Sequence, residues 1–512
     1  MGFGADGTRT RHFQIANLTL YQMSYGPMFF PDYTPCRRIC ILFRHYLFSF
    51  IRGMLAVMSL IRDTFRDRSF LSKLFRLAFP IALQAMLLAT VAASDTVMLG
   101  SLEQNAMSAV SLASQIQFVQ NMIVTGVVSA FQILGAQYAG KRDKNTLNRL
   151  LCMSLRICVL VSLAFSLLCF LCPASLMRIF TNEEALISIG IGYLKIAAVS
   201  YLIAGITQCL LALIKLGANT AAVARISGVA VVLNIVLNGV FIFGLFGLPP
   251  MGVAGAALAT VTARVVELVL SVIFAWKDSF LRPDLRKLFA FDKALSLDFI
   301  RQLLPLMGAY LLWTVGFTSY SAFMGHMGID AAAANSVASV VRSLVSSFMK
   351  GLAGGAAIMV GYELGQGHLE RARTYGDRLV FMSVICGVLS GLMILGSIPL
   401  ALTVVKLTPG AASDFIALSV ILSIYIVGCS VNSVVINGLF ASGGDTLFDV
   451  YSLAVMMWGI AVPLAAAGTF LLSWPVAVVY FCTCLDEVGK IPWTLHHYRK
   501  YMWVRDLTRE VS

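Results

Sequence analysis

Apolar residues fall along this chain in unbroken runs, with the polar residues gathered between them. Runs of ~20 residues, the length a helix needs to cross ~30 Å of hydrocarbon, recur along most of the chain. Twelve are centred on residues 88, 125, 163, 199, 234, 265, 313, 350, 391, 428, 460 and 484. They are continuous and do not alternate apolar with polar, so they predict helices and exclude a β-barrel.

The pattern repeats. Residues 77–100 read LAFPIALQAMLLATVAASDTVMLG and residues 302–325 read QLLPLMGAYLLWTVGFTSYSAFMG. Pro80/Pro305, Gly100/Gly325, Ala106/Ala331, Gly126/Gly351 and Gly140/Gly365 coincide at an offset of 225 (305 − 80). LGANT at 216–220 meets SGGDT at 442–446 with the offset changed by one. A duplication this long in an apolar chain predicts a two-lobed transporter. The expected fold is an all-α integral membrane protein of twelve transmembrane helices in two parallel six-helix lobes. The expected bounds are an extension over 1–57, a lead-in over 58–76, an N-lobe over 77–276, a linker over 277–299, a C-lobe over 300–495 and a basic tail over 496–512.

Composition agrees with a lipid solvent. The 512 residues are 59% hydrophobic and 12% charged, with a mean hydropathy of +0.84, more apolar surface than a soluble fold of this length can bury. The net charge of +13 is a topology signal. Lys141, Arg142, Lys144 and Arg149 follow helix 2, Lys215 and Arg225 separate helices 4 and 5, and Lys277, Arg282, Arg286, Lys287 and Lys293 fill the central linker. Arg371, Arg373 and Arg378 follow helix 8, and Lys490, Arg499, Lys500, Arg505 and Arg509 close the chain, against Arg178 and Lys406 on the other side. The positive-inside rule then puts both termini in the cytoplasm and the chain in the plasma membrane. Nucleic acid is not an expected partner; small organic molecules and the bilayer are, and a monomer is expected.

Residues 1–57 have neither a helical stripe nor the compact apolar core of a signal peptide. The preferred reading starts the protein at Met54 or Met58, with CRRICILFRHYLFSFIRGML as an interfacial segment in the alternative. Cys169 and Cys172 form a CxxC inside helix 3, but no second pair completes a zinc site, so the eleven cysteines are expected to pack as small apolar groups. No HExxH, GxSxG or Walker A loop occurs, so neither an enzyme nor ATP-driven pumping is indicated, and no cofactor is expected beyond a coupling ion, H⁺ or Na⁺.

The string PIALQAMLLATVAASDTVMLGSLEQNAMSAVSLASQI, then GAQYAGKRD, LGANT/SGGDT and LNIVLNGVFIFG…MGVAGAALAT, resembles the multidrug and toxic compound extrusion (MATE) transporters. The closing DEVGKIPWTLHHYRKYMWVRDLT resembles the tails of the DNA-damage-inducible branch. The resemblance spans residues 65–510. It implies an antiporter that exports organic compounds in exchange for H⁺ or Na⁺ by rocking between two access states. Three other readings stand beside it: a flippase for lipid-linked substrates; a membrane-embedded transferase, for which no convergent catalytic set is visible; and an ion channel, against which the single Asp95 argues.

Asp95 carries the coupling expectation. It lies about five residues short of the outer end of helix 1, roughly 7 Å deep at 1.5 Å per residue. A bare carboxylate there costs ~3 kcal/mol or more, so it must be protonated, ion-bound or paired, and a carboxyl that changes charge with its surroundings is a proton or sodium switch. A fixed pair with Lys195 is the plainer alternative. No metal is expected elsewhere. Tyr320 is the repeat-equivalent of Asp95, which confines the switch to the first lobe.

Asn234 and Asn238 share one face of helix 5. The family pattern implies that they, with Tyr193 and Thr260, line the pocket around Asp95; many relatives carry Asp at the place of Asn238. In the second lobe other relatives place a carboxylate on helix 7 where this chain has Trp313. Helix 8 carries Arg342 and Lys350 instead, eight residues apart on one face. With Trp313 and Tyr320 these are the C-lobe cavity candidates. Lys350 paired with a carboxylate, and Arg342 snorkelling outward, are the structural alternatives. Arg264 and Glu267 are expected to satisfy each other, and Gly361/Gly365 and Gly387/Gly391 to mark close helix packing.

Overall fold

The structure is a computed structural model that describes residues 59, 61–100, 104–247, 249–289, 292–405 and 407–509. The expectations for residues 1–57 lie outside the described residues. The chain divides into two compact units, Met1–Asp63 and Thr64–Ser512. Of the first, only residues 59 and 61–63 are described, all helical.

The second unit is all helix among the described residues. The spans are α1 (Arg68–Gly100), α2 (Gln104–Gly140), α3 (Lys144–Leu171), α4 (Glu184–Leu216), α5 (Thr220–Phe243) and α6 (Gly252–Lys277), then α7 (Lys293–His326), α8 (Ile329–Gly365) and α9 (Leu369–Val404). Two more follow, α10 (Pro409–Phe440) and α11 (Leu447–Phe470), both widened by a π-helical stretch. Eleven helices are thus long and apolar enough to cross a membrane. The twelfth position differs from a simple span. There α12 (Val476–Val488) stops at Gly489–Lys490 and α13 (Ile491–Tyr498) restarts with Pro492 in its first turn. Proline has no N–H for the Val488 carbonyl, and its ring crowds that carbonyl, which favours a break at this point.

Two boundaries move. α1 begins at Arg68, inside the segment taken as a lead-in, because Asp67 caps it by accepting the Phe70 N–H at 3.0 Å. The basic tail is no free tail. Trp503 is fully buried, its ring stacked on Tyr498 (5.8 Å, 18°) and pressed against Gly376. Farther on, Gln137 of α2 donates to the Ser442 and Arg505 carbonyls (2.7 and 3.1 Å) and accepts from the Leu507 N–H (2.6 Å), while Arg509 grips Asp298 through two bonds (2.6 and 2.8 Å). The tail therefore ties α2 of the first repeat to α7 and the α10–α11 turn of the second.

The duplication is visible in the packing. Along α1 and α5, Leu87 lies beside Gly228 and Met98 beside Gly239; along α7 and α11, Gly308 lies beside Val450 and Gly316 beside Met457. Each pair of helices runs parallel and in step, at nearly the same offset. Between the repeats, Gly140 of α2 sits against Tyr362 of α8, and Gly365 of α8 against Gln137 of α2. Gln137/Tyr362 and Gly140/Gly365 are repeat-equivalent, so this contact is the same from both sides and a pseudo-two-fold axis passes through it. Gly351 against Ala78 and Ala82 of α1, and Gly126 against Met307 and Tyr310 of α7, extend it. Only residues without a Cβ let these backbones approach so closely. Gly387 against Val427 and Gly391 against Ser423 do the same between α9 and α10.

Candidate functional site

In the first repeat the site forms where α1 passes α5 and α6. The step from Leu87/Gly228 to Met98/Gly239 covers eleven residues on each helix. The backbone of Asp95 is therefore level with Val236, midway between Asn234 and Asn238. Its side chain lies outside the described residues, and the Lys195 pairing with it. Asn238 donates to the Asn234 side-chain oxygen (3.4 Å), Asn234 donates to the Thr260 hydroxyl (3.4 Å), and Thr260 donates to the Ala256 carbonyl (3.0 Å). A chain of amides and a hydroxyl thus links α5 to α6 beside α1, offering oxygens to a cation or N–H groups to a carboxylate. Tyr193 is buried in the same apolar cluster as Leu99, Ile242 and Ala256. It also lines a cavity of about 500 Å³ at the N-terminal ends of α4 and α6, with Ser188, Gly192, Met251 and Val253.

Deeper in this repeat Arg264 and Glu267 do pair, at 2.6 Å. The network runs further than the pair. Glu267, 2% exposed, also accepts from Ser227 of α5 (3.1 Å), which in turn accepts from Gln84 of α1 (3.0 Å). Both carboxylate oxygens are occupied, as burial in lipid-solvated protein requires.

The second repeat is built differently. Tyr320 stands on α7 where Asp95 stands on α1, and it is buried. The guanidinium of Arg342 does not snorkel; it lies 4.3 Å over the Phe317 ring, and Trp313 stacks on that ring at 5.2 Å, nearly parallel to it. Trp313 itself is exposed. Lys350 is exposed and has no carboxylate within ion-pair distance among the described residues; its charged neighbour is Arg342. The alternative that pairs Lys350 with a carboxylate thus finds no partner among the described residues. His326 and Asp330 are satisfied separately, by the Ala322 carbonyl and the Thr408 hydroxyl.

Sequence reasoning missed the charges of α12. DEVGK was taken with the closing segment and Lys490 with the basic tail. Lys490 is instead 2% exposed and pairs with Glu487 at 3.0 Å, while Asn432 of α10 donates to the other Glu487 oxygen at 2.8 Å. This is the Arg264–Glu267 arrangement with the signs exchanged, at nearly the same distance from the helix start. The available signal was position: these charges fall within the apolar run centred on residue 484 and not beyond it.

Among the described residues no group of three His, Cys, Asp or Glu side chains is placed to hold a metal ion. Cys169 is buried and Cys172 exposed at the end of α3, so the CxxC does not converge.

Comparison with known proteins follows this geometry. At 16% identity, the solved outward-facing structure of a multidrug resistance MATE family transporter of the MOP superfamily superposes with a TM-score of 0.77, covering 84% of this chain and 95% of that one. A MOP superfamily transporter from Pyrococcus furiosus, described by the reverse polarity of its binding pocket, gives 0.76 at 16% identity, with coverages of 84% and 95%. In sequence, the uncharacterized transporter YisQ of Bacillus subtilis is 26% identical over 443 residues, 86% of this chain and 96% of that protein. The probable multidrug resistance protein NorM of Haemophilus ducreyi is 26% identical over 435 residues, covering 81% and 91%. The MatE family model matches twice, over residues 80–240 and 305–467. The two matches open on Pro80 and Pro305, the starts of the repeat, and span well over half the sequence: the chain belongs to the MatE family of multi-pass membrane transporters.

Proposed function

We propose that this protein is a secondary antiporter that exports small organic compounds across the plasma membrane in exchange for inward H⁺ or Na⁺. The observation that carries the reading is the in-step packing that sets the Asp95 backbone between Asn234 and Asn238, in a two-lobed bundle whose lobes meet through glycines. A carboxyl at that depth binds the ion in one access state and releases it in the other, and that differential affinity is what drives rocking. The lobes touch where Lys141 and Arg371 follow α2 and α8, the basic face and hence the cytoplasmic one. That contact on the basic face supports reading this as the outward-facing state, with both termini inside. The protein acts as a monomer, needs no cofactor beyond the coupling ion, and does not bind nucleic acid.

Arg342 and Lys350 bias the second-lobe cavity toward neutral, zwitterionic or anionic compounds. The test is export from proteoliposomes under an imposed ΔpH or Na⁺ gradient. Wild type should export uphill, and Asp95→Asn should lose gradient-driven export while staying folded, since an amide in α1 is cheaper than a carboxylate. Uphill export by the variant at near wild-type rate would refute coupling at Asp95.

A further inference from the structure

We infer that the second lobe contains its own proton-binding site, with the Asp486 carboxyl as the acceptor and the hydroxyl of Tyr320 beside it. Coupling is then not confined to α1. Asp486 lies ten residues into α12 and is 2% exposed. At ~1.5 Å per residue that is about 15 Å from the outer end, near mid-membrane. Its Oδ1 is sealed from solvent and has no hydrogen-bond partner among the described residues. The Tyr320 hydroxyl, which lies beside Asp486, is sealed and unpaired in the same way. A sealed carboxyl oxygen with one hydroxyl beside it is poorly satisfied as an anion and calls for a proton or another very small occupant.

The space available fits a very small one. Tyr320, Arg342, Tyr425, Tyr480 and Thr483 line a cavity of about 20 Å³, room for a water molecule but for no organic substrate. The groups facing Asp486 come from every helix packed around it. They are Tyr320 on α7, Arg342 on α8, Tyr425 and Cys429 on α10, and Tyr480, Cys484, Glu487 and Lys490 on or beyond α12. Half-buried Asp449 of α11 faces Glu487 and Lys490, and exposed Lys350 faces Arg342. Asp486, Glu487 and Asp449 face Arg342 and Lys490 with Lys350 beyond Arg342, so the charges are even and it is the open oxygen that marks where a proton is taken up. Glu487 has both oxygens occupied by Lys490 and Asn432, so the proton belongs on the open Asp486 oxygen.

Arg342 in the cavity wall decides against a metal cation, which would meet a guanidinium in a medium of low dielectric. Binding is simple addition: a proton joins Asp486 Oδ1, with Tyr320 standing between that oxygen and the cavity it lines, and the carboxylate becomes a neutral carboxyl. The neutral form donates to the tyrosine oxygen and the charged form accepts from the hydroxyl, so the site accommodates both. Tyr320 thus keeps a role at the position equivalent to Asp95, with the carboxyl supplied from α12 instead of from the same helix.

Infrared difference spectroscopy of the purified protein between high and low pH reads this directly, through the stretch of the protonated carboxyl. Asp486→Asn should lose one carboxyl band that Asp95→Asn retains, and Tyr320→Phe should keep the band at a shifted frequency. An Asp486→Asn spectrum identical to wild type overturns the assignment. So does a band abolished by Na⁺ at constant pH, which would make the site a metal site. If Asp486→Asn does not fold, an unshifted band in folded Tyr320→Phe overturns it equally. No transport is needed for these spectra. Wild-type protein that shows the band yet exports nothing under any gradient would sink the exporter reading and leave this site standing.

Discussion

One added methyl group at Gly365 should unlock the two lobes. A Cβ built there falls 2.6 Å from both the Cα and the carbonyl carbon of Gln137, and closer still to its carbonyl oxygen. Non-bonded carbon atoms are comfortable at ~3.5 Å or more, so α2 and α8 must part by roughly 1 Å. All the crowded atoms are backbone, and no side chain can swing aside to absorb the strain. Overpacking of this kind costs ~1–3 kcal/mol. The cost falls on the state in which the lobes touch here and is absent once they separate, so their equilibrium should move by ~5–150-fold toward the open form. Spin labels at Arg142 and Glu370, both exposed at the basic ends of neighbouring helices, report the separation by pulsed electron resonance. Gly365→Ala should enlarge the long-distance population, and Gly140→Ala should act alike, since its Cβ would lie 2.5 Å from the Tyr362 carbonyl oxygen. Gly387→Ala is the control, because it crowds Val427 at 2.8 Å within one lobe and leaves the gate alone. A Gly365→Ala protein with the wild-type distance distribution would refute the contact as the gate.

Two further outcomes follow from charges outside and inside the second cavity. Replacing exposed Lys350 with Met removes one of the two cations of α8, and should shift the exported spectrum toward cations while gradient dependence persists; an unchanged spectrum in competition assays would show that Lys350 does not face substrate. At the base of α1, the Phe70 N–H and the Arg378 guanidinium, 2.6 Å away, hold the Asp67 carboxyl below the usual carboxylate range. A depressed value means that the stabilisation is present above the ordinary carboxylate value and is lost as pH falls through the lowered one. Asp67→Asn should therefore cost up to ~1 kcal/mol at neutral pH and narrow the gap between melting temperatures at pH 7 and pH 3; an equal gap in both proteins would show the pair to be inert.

What could be known from the chain alone was whatever depends on local composition or on self-similarity. A span declares itself by length and apolarity because lipid leaves the backbone no other partner, and a duplication declares itself because equivalent helices need equivalent small residues. The twelve positions, the repeat and its glycines, the Arg264–Glu267 pair and the shared face of Asn234 and Asn238 were all legible on that basis. The break at Gly489–Lys490 was half legible, since Pro492 is visible but Pro80, Pro305 and Pro399 sit inside helices that run on. Contacts between segments far apart in sequence were not legible. Nothing local says that Trp503 sits under Gly376, that Gln137 clasps the tail, or that Tyr320 of α7 stands beside Asp486 of α12. Those neighbours were decided by tertiary packing alone, because a carboxyl and its partner need only share a place in the membrane and not a helix.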